Sequence, residues 1–551
     1  MKYLFIAGYS IIIILMGHKM FQGHPDEIDQ AAYTKSILRK QLSTISCTPD
    51  WKNYHLSSLD IQQMIPLPGI GSYTWKISTQ SDSAQFYFNQ GINLYYGFHI
   101  IEALPSFKKA QTFDPACALL YWAEALSYGP NINDFGYAAS PDALLATLKA
   151  EQLAGGSSQL EKGLIDAIRT RYSEDSTQKR AILNQHYAEA MRQLYVRFPE
   201  NADVGALYAD ALMVEHPWDL WEHNGRPKPW TPQLQKVLES VLQRSPEHPG
   251  VNHYYIHTME ASPYAFKATA SADRLGRLTP GMAHMVHMPS HIYIRTGQYE
   301  KGSQVNNSAV ESYRNYLQLY PGVVNNAPLY SIHNRHMQVA CSLNGDNYST
   351  ALRDAFECRN SIDTSFLSME APVGDYIQYV YMTPELTMIT FKEWADILKQ
   401  ADVEMNFHYA ALIQNFAKGM AYANSDDLKM AKTSLNKLES LLNEKDLQVI
   451  LTPFNAPVTC ARITQYILMG TIAEKENKLP DAIGHFKKAV ETEDSLVYNE
   501  PRDWLIPARH FLAAALIRAK KYKEAEKVYR EDLRIQPKNF IASNGLQEAR
   551  R

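Results

Sequence analysis

The chain has 551 residues, more than one hydrophobic core ordinarily serves, so several domains or one long repeat array are expected. Apolar residues make up 45% and charged residues 20%, the proportions of a soluble, well-packed protein. With 54 Lys+Arg against 58 Asp+Glu, the net charge is −4 and no basic block stands out, which argues against nucleic acid as a partner.

The first element in chain order is an uncharged run after Lys2, Tyr3 to Met16 (YLFIAGYSIIIILM). It is shorter than the roughly 20 apolar residues a membrane span needs, and a basic residue before a short apolar run reads as a secretory signal. Residues 1–23 are therefore expected to be a signal peptide or short membrane anchor. The protein would then be secreted or periplasmic, and membrane-attached only if this segment stays uncleaved. Residues 24–80 read as a polar, irregular leader with turn signals such as Pro66-Leu67-Pro68-Gly69. The five cysteines (Cys47, Cys117, Cys341, Cys358, Cys460) are scattered and form no CxxC pair, so isolated buried thiols are expected.

A repeat begins at residue 84. Counting from there, Gly91 holds position 8, Ala103 position 20, Phe107 position 24, Ala110 position 27 and Pro115 position 32. Small residues at 8, 20 and 27 let two helices cross closely, and Pro ends the second helix. This is the pattern of the 34-residue tetratricopeptide (TPR) hairpin. It returns with Ala482, Phe486 and Ala489 at 20, 24 and 27, and with Ala513, Ala525, Tyr529 and Pro537 at 8, 20, 24 and 32, where Asp532 at 27 departs from it. Helices are also expected over Gln178–Phe198 and Asn201–Val214. Loops are expected over Gly129–Pro141 and over the Trp/Pro-rich residues 216–232 (HPWDLWEHNGRPKPWTP). The fold class is all-α, a TPR-like right-handed solenoid of hairpins with long inserted loops. Its expected parts are N-terminal TPR units at 81–150, hairpins with the Trp/Pro loop at 151–247, and His-rich units at 248–360. Further hairpins follow at 361–440 and C-terminal TPR units at 441–551.

Stretches such as FNQGINLYYGFHIIEALPSF (88–107), DPACALLYWAEALSYGPNIN (114–133), HPGVNHYYIHTMEAS (248–262), HMVHMPSHIYIRTGQY (284–299) and EDLRIQP (531–537) extend over most of the chain. In these the chain resembles a large group of bacterial TPR-repeat proteins of unassigned biochemical role. The resemblance implies a fold and no reaction.

Seven of the 18 histidines fall between 253 and 336: His253, His257, His284, His287, His291, His333 and His336. Their spacings of four, three and four, and three put each set on one side of a helix. With units starting at 249, 283 and 332, they occupy positions 2, 5 and 9 of three successive first helices, the positions that line the concave groove of a TPR array. The 49-residue step from 283 to 332 calls for an inserted loop, expected at 316–330. Packed helices lie about 8–10 Å apart, so imidazoles from neighbours can converge on an ion.

An all-imidazole, sulfur-poor set suits copper or zinc, with iron also compatible, and two three-His sets would resemble a coupled dicopper site. No nucleotide or organic cofactor is indicated. Glu260 is a candidate base or further ligand. Tyr254, Tyr255, Tyr293, Trp218 and Trp221 are candidate groove-lining residues, while Met282, Met285 and Met288 read as packing. Glu500-Pro-Arg-Asp-Trp504 reads as an ordered turn without chemistry. HExxH, GxSxG and phosphate-loop motifs are absent. Two functions follow: a metalloprotein, oxidase or hydrolase, acting on a small molecule, or a non-catalytic scaffold holding a protein or peptide in its groove.

Overall fold

Side-chain size at the helix crossings sets the hairpins. In the computed structural model, Asp82–Tyr96 packs on Ile100–Phe113, and a Cβ on Gly91 would stand 2.4 Å from the Phe107 ring. Ala103 and Ala110 are fully buried in the same crossing. The geometry repeats near the other end, where Pro457–Lys475 packs on Leu479–Asp494 and a Cβ on Gly470 would lie 2.5 Å from Phe486. In the last unit Ala513, Ala525 and Tyr529 are buried, and the departure at Asp532 is explained by a partner: its carboxylate meets His510 Nε2 at 2.9 Å.

The structure describes residues 56, 58–134, 137–319, 327–450 and 454–551. Among them the regular elements are helices, apart from one isolated β-bridge between Trp221 and Pro227. The fold is all-α and TPR-like. No helix among these residues is long and apolar enough to cross a membrane. The expected signal segment, 1–23, lies outside the described residues, as does Cys47. The four described cysteines are buried and free. Of the leader, residues 63–80 lack helix, yet Leu67, Trp75 and Ile77 are buried and the Gly69 carbonyl accepts from Gly281 N at 2.7 Å.

The helices at 178–198 and 201–214 form as Arg180–Arg197 and Ala202–Glu215, and the described residues of the two expected loops lack helix up to the helix starts at Pro141 and Thr231. Of the loop expected at 316–330, residues 316–319 and 327–330 belong to helices, and 320–326 lie outside the described residues. Tyr299–Leu319 and Ala327–Asn344 run 21 and 18 residues, so part of the long step between units is taken up by longer helices. The first helix of the middle His unit is split into Ala283–His287 and Pro289–Arg295, because Pro289 has no N–H to continue the ladder.

Two hydrophobic cores form, one from Met64 to Tyr293 and one from Leu329 to Ala549. The C-terminal units return onto the middle of the chain. Tyr299 donates to the Pro537 carbonyl at 2.7 Å, and Arg295 donates to the Ile535 carbonyl at 3.2 Å. Gly297, at φ +70°, lies so close to Pro537 that a Cβ would meet its oxygen at 2.4 Å. The open concave groove expected from the repeat register is therefore closed at the histidines, which are buried.

Candidate metal centre

Six of the seven histidines meet in two sets of three. His253 and His257 on Pro249–Glu260 join His284 on Ala283–His287, while His287 and His291 join His333 on Ala327–Asn344. Within each set the nitrogens lie within 4.8 Å of one another. The sets adjoin: the rings of His284 and His287, and those of His257 and His291, are 6.1 Å apart. All but the partly buried His333 are at most 7% exposed.

The outer nitrogens fix the tautomers. His253 Nδ1 donates to the Tyr96 carbonyl at 2.6 Å. His287 Nδ1 donates to Asn306 Oδ1 at 2.6 Å, and Asn306 is oriented by its own amide donating to the Gly302 carbonyl. His291 Nδ1 donates to Glu260 Oε2 at 2.6 Å and His257 Nδ1 to Glu260 Oε1 at 2.8 Å. None of these acceptors can donate, so each neutral ring turns the Nε2 lone pair inward. Nε2 of His287 and Nε2 of His291 then face each other at 2.7 Å, with no proton between them. His333 Nε2 lies 3.0 Å from His287 Nε2, and His253 Nε2 lies 3.0 Å from His284 Nε2. Two opposed lone pairs repel, whereas a cation beside them is attracted to both. Tetrahedral ligands at 2.0–2.1 Å from an ion are about 3.3 Å apart, so a small opening of each set accommodates one.

Electrostatics favour the same protonation state. Burial, with His257, His253 and His291 respectively as next cause, holds His253, His284 and His287 well below the usual histidine value. Burial also pushes His257 down, and His333 down to about 3. These five rings are thus held toward the neutral form, which is the ligand form.

Glu260 is fully buried and joins the sets, one oxygen to each, with Tyr498 donating to Oε2 at 2.8 Å. Burial alone would raise its carboxyl, but His291 and His257 outweigh that and hold it well below the usual carboxylate range. With both oxygens engaged, Glu260 orients His257 and His291. Glu500 stands against His291 and is pushed well up, first by burial and then by the Glu260 charge. Its turn was expected to carry no chemistry, and it supplies a carboxyl to the cluster. Phe98, at φ +56° in the turn after Asp82–Tyr96, packs its ring 4.5 Å from His253, 5.8 Å from His257 and 5.7 Å from His284. Phe98, Asn306, Tyr498 and Glu500 carry no helix-face spacing with the histidines, so the sequence pattern could not single them out.

The other expected residues lie elsewhere. His336 is buried outside both sets, between the rings of Tyr376 and Tyr379 at 5.8 Å, and neither nitrogen has a hydrogen-bond partner. Tyr255 and Tyr293 point away, donating to Glu239 and Asp273 at 2.7 Å each, and Tyr254 is buried beside Tyr96 and Phe98. Met282, Met285 and Met288 are core residues. Trp218 meets His257 edge-on at 5.7 Å, and Trp221 donates to the Thr258 carbonyl at 2.7 Å. Both line a cavity of about 590 Å³ that has His257 in its wall.

No family model and no curated protein matches the chain. Solved structures that align with it include human IFIT1 as a dimer with m7Gppp-AAAA, 13% identical, covering 94% of this chain and 98% of that one, TM-score 0.30. Yeast Tom70 is 11% identical over 86% and 89%, TM-score 0.29. The Cut9 and Hcn1 hetero-tetramer of the APC/C is 12% identical over 86% and 78%, TM-score 0.29. Superpositions this loose carry no argument about the site. The fold rests on the hairpin packing above.

Proposed function

We propose that the two histidine sets hold a pair of transition-metal ions, copper or zinc, and that the protein is a metalloenzyme of oxidase or hydrolase type. The observation that carries this reading is the pair of inward lone pairs on His287 and His291, 2.7 Å apart, each fixed by a buried acceptor on the far nitrogen. Such outer acceptors are what metal-ligating histidines use to hold tautomer and aim. Three imidazoles per ion leave a coordination position open, as catalytic sites do and structural sites do not. Two copper ions so placed would suit dioxygen chemistry, and two zinc ions would suit activation of water.

Helical-repeat arrays are typically protein-binding scaffolds, and the fold alone fits that role. Burial of the histidines supports the metal reading over peptide docking at this face, since a docking surface must be exposed. Export through residues 1–23 belongs to the same proposal, and amino-terminal sequencing of the protein from the native host would test it.

Elemental analysis of protein made without a His tag and reconstituted with copper or zinc should give two ions per chain. His253→Ala with His284→Ala should leave one, and His287→Ala with His291→Ala should leave one. Less than a tenth of an ion per chain in the unaltered protein would sink the proposal.

A further inference from the structure

The cavity beside His257 has walls of opposite character. Trp218 and Phe454 meet edge to face at 5.6 Å across its apolar part. The charged part is matched almost throughout: Arg502 pairs with Glu493 at 3.2 Å, and Arg509 grips Asp494 through two bonds of 2.7 Å. Arg534 pairs with Glu531 at 2.7 Å.

Arg295 differs from these three. It donates only to the carbonyls of Ile535 and Ser262, and its Nε–H has no partner among the described residues. Glu260 is the acid close enough to act on it, and both Glu260 oxygens are taken by His257, His291 and Tyr498. At the inner end of the cavity the Arg295 guanidinium is thus gripped by no carboxylate and keeps one N–H unpaired. A guanidinium with a donor to spare in water-poor surroundings is a ready partner for an anion.

We infer that this cavity is the substrate site and takes a small organic anion, a carboxylate on a flat ring, with the carboxylate toward Arg295 and the ring against the apolar wall that Trp218 and Phe454 form. Its volume, about 590 Å³, is that of a small-molecule site. A planar guanidinium matches a carboxylate better than an ammonium does. The assignment rests on the metal reading only in taking His257 as the end where chemistry occurs. The anion site itself is independent of it.

Calorimetric titration with benzoate and with benzamide, on metal-free and metal-loaded protein, tests this. Benzoate should bind at least about tenfold more tightly than the neutral isostere. Arg295→Gln should erase that difference, and Arg295→Lys, which keeps the charge, should preserve part of it. Trp218→Ala should weaken both ligands by a similar factor. Equal binding of benzoate and benzamide by the unaltered protein, or unchanged selectivity in Arg295→Gln, overturns the inference. Metal content of the same samples separates the two ideas: anion selectivity without metal uptake supports this site and removes the metal reading, and metal uptake without selectivity does the reverse.

Discussion

Glu260 shows how much rests on single atoms. Each oxygen accepts an Nδ1–H from a different histidine set, a role that only a carboxylate fills twice. In Glu260→Gln one of those N–H groups would face an amide N–H, and that ring would have to present its other nitrogen. Metal affinity, read by competition with a chelator, should fall about 10- to 100-fold while the helical content stays. An unchanged affinity would show that the carboxylate does not orient the ligands. His336 makes the opposite case, an imidazole buried without a hydrogen bond and held down to about 3 by burial. Its folded-state value lies below the ordinary one of about 6.5, so stability is full above that pH and is lost as pH falls toward 3. His336→Phe should remove this sensitivity. In metal-free protein, the variant should lose less stability between pH 7 and pH 4 than the parent, by on the order of 3 kcal/mol. Equal acid sensitivity in urea titrations would show that the ring is not held neutral by burial.

Among the elements, one hairpin carries two glycines that should respond with opposite signs. A Cβ at Gly470 would lie 2.5 Å from Phe486 in a closed crossing, and a Cβ at Gly484 would meet nothing within 4 Å. Gly470→Ala should cost about 1–3 kcal/mol through overpacking, and Gly484→Ala should stabilise by about 0.4–1 kcal/mol through the unfolded chain and helix propensity. Thermal melts of both variants check the pair, and a shift of the same sign in both would contradict the packing. This level was the most legible in the sequence. Small residues at fixed offsets marked the crossings, and three- and four-residue spacing put six histidines together. His336 shares that spacing yet falls outside, because Tyr376 and Tyr379 enclose it and periodicity does not register what packs opposite. Helix runs into both ends of the loop expected at 316–330, because repeat length alone does not say how far the flanking helices extend into an insertion.

For the whole molecule, repeat logic predicts contacts between neighbours and is silent on a return across roughly half the chain. Arg295 reaches Ile535, Tyr299 reaches Pro537 and Tyr498 reaches Glu260, all more than 200 positions away. Tyr96 holds His253 through its backbone carbonyl, and an oxygen that every residue owns leaves no mark in a sequence. Gly297 tests the closure. A methyl there would collide with Pro537 at a backbone angle that disfavours side chains. Gly297→Ala should raise amide exchange across 535–540 and weaken metal binding together, and tight binding with the C-terminal units loosened would show that they are not needed to enclose the centre. Because the hydroxyl that secures Glu260 is supplied by residue 498, a ribosome must make nine-tenths of this polypeptide before the pocket can be sealed. Histidines 253 to 333 would meanwhile emerge uncovered, able to capture any passing ion in a half-made site. If the two sets take metal as proposed, supplying it only once synthesis ends would protect such a chain from being loaded too early.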